Sequence, residues 1–215
     1  SILIKEITRR VVAKGHCQAF YASTRKLPTP ITETLFYHRT INLEKLVDVG
    51  FTEVKDIELS NAIKYFEIDD KYTLKNFKKM EECHYESAYK ILCNELDSYN
   101  VHIVFSYDEF KYWFVNDFVS SYVNTDNENN VLDFISYYKI SNTVLKKDCK
   151  HKYIKMAYIF YYGNTSATLF KLGQNLLIAA KNEGIDVITA IDIMHNKQFI
   201  DNLKLRLACN LYTDN

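Results

Sequence analysis

The chain has 215 residues, 47% of them hydrophobic and 14% aromatic, and its 27 Lys+Arg balance 27 Asp+Glu. That length and apolar content can bury a real core, which excludes intrinsic disorder. Zero net charge removes any global pull toward nucleic acid, and no apolar run approaches the ~20 residues of a membrane span.

Residues 1–14 place Ile2, Leu3, Ile7, Val11 and Val12 at helical spacing, with Gly15 where a C-terminal cap belongs. The chain opens at Ser1 inside this pattern, without Met, which leads us to expect a fragment of a longer protein. A short strand is expected over 18–21, a loop with both prolines over 24–34, and an extended segment at 36–38. Asn42 then caps a helix over 43–49 closed by Gly50, and 51–54 returns as a strand. This alternation suits mixed α/β packing. Residues 71–82 are polar and of mixed charge, so they read as a linker. A helix follows over 82–96, and Ser106 with Glu109 forms a capping box for a helix through Trp113. Strands are expected over 119–123 and 131–138, joined by a hairpin whose run of Asn and Asp, 124–130, tolerates left-handed backbone. A long aromatic strand covers 154–162, a helix 169–181 ends before Gly184, and a strand follows over 186–190. The chain finishes with a helix over 197–203 and an extended tail over 207–212. No short-period repeat occurs.

Five cysteines, odd in number and without a Cys-x-x-Cys pair, suit reduced thiols in a cytoplasmic protein. Cys83-His84 with Cys93 is poorly spaced for zinc, and no metal is expected. The five glycines stand apart, so no phosphate cradle is present. The N-terminus of the first helix would favour an anion near Ser1, the one candidate for cofactor contact; a frayed chain end accounts for it too. His38, within Tyr37-His38-Arg39, reads either as a general base or hydrogen-bonding anchor, or as a satisfied core histidine. Tyr158, Phe160, Tyr161 and Tyr162 read as the lining of a ligand groove or as sheet core. Asp186 and Asp192 flank a strand, where functional carboxylates occur in open α/β sheets, although capping serves Asp192 as well. The lysines at 146, 147, 150 and 152 read as a solvated loop. No Gly-x-Ser-x-Gly or His-Glu-x-x-His is present, nor a carboxylate pair at helical spacing within a recognisable pocket.

Several collinear segments resemble the eukaryotic N-myristoyltransferase family. They are Ile2 to Arg10, Ala19-Phe20-Tyr21, Leu27-Pro28-Thr29-Pro30, Tyr37 to Phe51, Trp113-Phe114, Asp133 to Tyr138, Ala157 to Tyr161 and, most specifically, Ala179 to Phe199. The resemblance implies one half of a duplicated acyl-CoA N-acyltransferase-like (GNAT-like) fold. Residues 1–70 would be the end of an N-terminal half, and 71–215 a C-terminal half. The family reaction transfers myristate from myristoyl-CoA, the co-substrate, to the N-terminal glycine of a peptide or protein.

The matched positions imply peptide contact by Tyr21, His38 and Tyr158, joined by Phe36 where the family usually has Tyr and Asn142 where it usually has Ser. Other departures are larger. Ala22-Ser23 replaces a Thr-Ala-Gly pattern, Leu205-Arg206-Leu207-Ala208-Cys209 replaces a Gly-Asp-Gly turn, and the coenzyme loop has no counterpart here. No catalytic residue is assigned. The resemblance therefore implies a divergent or partial N-myristoyltransferase, with the chain inactive by itself; the alternative is an inactive half-length relative that binds peptides or proteins. A surface left by a missing half would favour self-association.

Overall fold

The structure, a computed structural model, describes residues 2–16, 30, 32–54 and 58–208. The chain divides into two compact units, Ser1–Glu33 and Thr34–Asn215. In the first unit Ile2–Ala13 forms helix α1. Glu6 holds both Arg9 and Arg10 across one turn, at 2.7 and 2.9 Å. Gly15 closes the helix at φ 83°, a left-handed conformation that costs glycine little. Ser1, Tyr21, the strand expected over 18–21 and most of the expected 207–212 tail lie outside the described residues.

The second unit is built on one seven-stranded sheet. Its elements are β1 (Phe36–Thr40), α2 (Leu43–Asp48), α3 (Leu59–Tyr65), β2 (Phe77–Lys79), α4 (Tyr85–Leu96), α5 (Tyr107–Phe114), β3 (Val119–Thr125), β4 (Val131–Thr143), β5 (Tyr153–Asn164), α6 (Leu169–Asn182), β6 (Val187–Ile191), α7 (Lys197–Asn202) and β7 (Arg206–Leu207). The strand order is β2-β3-β4-β5-β6-β1-β7. Among the described residues only β5 and β6 run parallel. Thus β1, early in the chain, fills the gap between two late strands.

The alternation of each strand divides its side chains between two faces. On one face α6 and α7 pack Leu172, Leu176, Ala180 and Phe199 against Tyr137, Ile159, Tyr162 and Ile188. On the other face are two separate cores. Helices α4 and α5 cover Val123 and Phe134 with Leu92, Phe110 and Phe114. Helix α2 and its C-cap cover Ile154, Met156 and Val187 with Leu46 and Val49. A bulge in β5 sets three steps, Ile159 to Tyr162, against two on β4, Tyr137 to Ile135. Phe160 and Tyr161 therefore both join the α4–α5 core, while Ile159 and Tyr162 face α6.

The Asn42 and Ser106 caps form as the sequence predicts, with Oδ1 and Oγ accepting from the Lys45 and Glu109 amides. Asn129 takes a left-handed conformation, φ 69°, in the expected hairpin. Two expectations need correction, and one helix has no counterpart among them. Residues 51–54 are not a strand: the Phe51 and Thr52 amides donate back to the Leu46 carbonyl, winding off α2 instead. The expected linker contains β2, an edge strand paired to β3 whose Phe77 ring stacks on Tyr122 at 5.3 Å. The seven-residue α3 was not foreseen, since its Glu58 N-cap makes no side-chain cap bond. Among the described residues no helix is long and apolar enough to cross a membrane.

Candidate functional site

Between the two cores of the α2 face runs a row of directly opposed residues. Tyr138 on β4 faces Tyr158 on β5, Tyr158 faces Thr189 on β6, and Thr189 faces His38 on β1. The strands supply this row because one residue of each falls on the same face at the same register. The Tyr138 and Tyr158 rings stack at 5.0 Å, nearly parallel at 5°. Phe160 meets Tyr138 edge-on at 5.6 Å from the α4–α5 side. His38 Nδ1 lies 2.8 Å from the Thr189 hydroxyl, and the Phe51 ring stands 5.6 Å from the imidazole. The turn that cost residues 51–54 their strand thus brings Phe51 to the histidine.

Tyr138, Tyr158 and His38 are all half-buried, so the row is partly exposed. Burial pushes both phenols up and keeps them protonated donors. Neither hydroxyl has a hydrogen-bond partner among the described residues. Burial also pulls the His38 imidazole below its usual value, so the ring is neutral at pH 7. With Nδ1 engaged by Thr189, Nε2 is left to exchange a hydrogen bond with a bound molecule. Two phenols and one ring nitrogen without partners among the described residues can exchange hydrogen bonds with an extended polar chain.

Phe36 lies on the same face of β1, opposite Ile191 and 45% exposed, one side-chain position beyond His38. Asn142 does not meet the row. It lies four residues along β4 from Tyr138, opposite Ile154, with its amide nitrogen 2.9 Å from Met156 Sδ. Tyr21 and Ser1 are outside the described residues. Thr189 and Tyr138 were missed as site residues, because only register, not residue type, marks them.

The other candidates resolve into structure. Asp186, buried, takes Lys45 Nζ at 2.6 Å, Asn42 Nδ2 at 3.2 Å and the Lys155 amide at 2.8 Å, tying α2 to the sheet. Asp192 accepts from the Leu35 amide at 2.7 Å. In the lysine-rich loop, Lys146 donates to the Asp48 carbonyl at the end of α2. Cys83 and His84 do cluster with Glu81. His84 Nδ1, however, accepts from the Glu81 amide at 3.0 Å, leaving Nε2–H to donate to Asn129 at 3.1 Å. One ring nitrogen thus caps the turn before α4 and the other ties it to the β3–β4 hairpin, and Cys93 is not part of the cluster.

Residues 48–211 match the family described as myristoyl-CoA:protein N-myristoyltransferase, C-terminal domain. The chain belongs to the N-myristoyltransferase family. It is 34% identical over 206 residues to the glycylpeptide N-tetradecanoyltransferase of Plasmodium falciparum, covering 94% of this chain and 50% of the relative. With the Drosophila melanogaster enzyme it shares 33% identity over 206 residues, or 94% of this chain and 43% of the relative. The Saccharomyces cerevisiae N-myristoyltransferase solved with bound myristoyl-CoA superposes with a TM-score of 0.88 at 25% identity, over 96% of this chain and 52% of that one. The fold is the one implied by the resemblance. This chain spans about half the length of the curated relatives it matches.

Proposed function

We propose that this chain carries the peptide-holding part of an N-myristoyltransferase, a protein that moves myristate from myristoyl-CoA to the N-terminal glycine of a peptide. In that reaction the glycine amine attacks the thioester carbonyl, loses a proton, and releases coenzyme A as the thiol. The observation supporting the reading is the half-buried row Tyr138–Tyr158–Thr189–His38, which lies between two packed cores and whose two phenols have no hydrogen-bond partner among the described residues. Here Tyr158 and His38 grip the peptide by hydrogen bonds, Phe36 extends the apolar floor, and Asn142 borders the far end of the same face. The reaction is set in the cytoplasm.

The test has two readouts on the 215-residue chain: myristate transfer to a Gly-starting peptide, and binding of that peptide by fluorescence anisotropy. Turnover above a heat-killed control supports the transferase reading and removes the binding-module alternative. Saturable binding without turnover supports the half-length binding module. Absence of both overturns the peptide role. His38→Ala and Tyr158→Ala should each weaken capture about tenfold, the worth of one partly buried hydrogen bond. Unchanged affinity in both would show that the row is not the peptide site. Self-association through exposed apolar surface belongs to the same reading, and a single concentration-independent monomer in sedimentation velocity would exclude it.

A further inference from the structure

Arg39 follows His38 on β1, so its side chain leaves the opposite face of the sheet, beside Ile188. It is only 3% exposed, yet makes no ion pair among the described residues. Nη1 donates to the Thr40 carbonyl at 2.5 Å and Nη2 to the Phe66 carbonyl at 3.0 Å. The guanidinium lies 5.2 Å over the Phe66 ring. These two neutral carbonyls take two of the five N–H donors, and the buried Nε has no hydrogen-bond partner among the described residues. Burying a charge without a counter-charge is costly. Consistent with that cost, burial draws this guanidinium down to about 10.

Arg39 forms part of the wall of a cavity of about 250 Å³. Phe170, Leu177, Ile178 and Leu203 supply most of its apolar lining, and exposed Glu67 and Asp69 also line it. Lys204, the other cation of the wall, is committed to the Tyr65 carbonyl at 2.8 Å and lies 4.3 Å over the Tyr65 ring. The cavity thus sets one under-satisfied planar cation beside a wall that is part hydrocarbon and part polar. We propose that it binds a small amphipathic monocarboxylate, with the carboxylate on the Arg39 guanidinium and the hydrocarbon against Phe170, Leu177 and Leu203. The guanidinium fork matches a planar carboxylate. The two acidic side chains of the wall repel a phosphate dianion more strongly than a monoanion.

The test titrates the full chain by calorimetry with three probes: hexanoate, hexanol with the tail but no charge, and inorganic phosphate with charge but no tail. Hexanoate should bind saturably, and the other two at least about tenfold more weakly. Arg39→Gln should weaken hexanoate binding at least about tenfold. Because that variant removes a buried group and can unfold, Gln174→Trp provides a second arm, filling the cavity from a half-buried wall position while leaving Arg39 in place. It too should lose hexanoate binding. No saturable hexanoate binding up to about 10 mM, phosphate binding as tight as hexanoate, or undiminished hexanoate binding in a folded Gln174→Trp protein would each overturn the proposal.

Discussion

His38 is kept neutral because burial opposes its charged form. The unfolded chain takes up that proton first, so the contribution of His38 to stability is complete above the ordinary histidine range and is lost as the pH falls through it. The urea midpoint should therefore drop between pH 7 and pH 5, and His38→Gln should make that drop smaller. An equal drop in the two proteins would contradict the assignment. Gly163 sets a different constraint. A Cβ there would stand 2.9 Å from the Ile91 carbonyl oxygen and 2.8 Å from Ile91 Cγ2. Gly163→Ala should push α4 off β5 at a cost of about 1–3 kcal/mol, read from urea unfolding. At this scale the sequence reveals His38 and Tyr158, since a histidine or a tyrosine within apolar alternation stands out. Thr189 and Tyr138 look ordinary in their own strands and matter only by what they oppose.

Helix α2 has six residues, too few to be stable by itself, and it is held from below. Asp186 accepts from Lys45, Asn42 and the Lys155 amide, while its own carbonyl accepts from the Ile41 and Asn42 amides. Removing one partner from a buried pair strands the other, so Asp186→Ala should cost about 3–5 kcal/mol. Because α2 and Phe51 border the row, the same change should weaken peptide capture, whereas Ser106→Ala should cost about 1 kcal/mol of stability and leave capture alone. Unfolding curves and anisotropy on the two variants separate these effects. Capped elements such as α2 and α5 are legible in sequence because their stop and start signals are local. β2 is not legible: two of its three residues are lysines, as suits an edge, and only pairing with β3 makes it a strand. Residues 51–54 carry a strand-like composition, but β1 is already paired on both sides, by β6 and β7.

The sheet as a whole depends on β1, which is remote in sequence from both of its neighbours. A chain beginning at Thr34 should unfold in one cooperative transition, whereas one beginning at Asn42 lacks β1 and should lose it; calorimetry distinguishes the two. Overall topology was legible mainly through the family resemblance, since periodicity gives strands but not their order. The parallel junction has a mechanical consequence. β5 and β6 share three registered pairs, against ten between β4 and β5. The sheet therefore consists of two panels joined by a narrow seam, with Tyr158 on one bank and Thr189 with His38 on the other. A peptide spanning the row would act as a staple across that seam. Deuterium uptake at the amides of residues 157–158 and 188–189 should then slow on binding more than uptake in β3, so that occupancy of the groove is felt by the protein as stiffness.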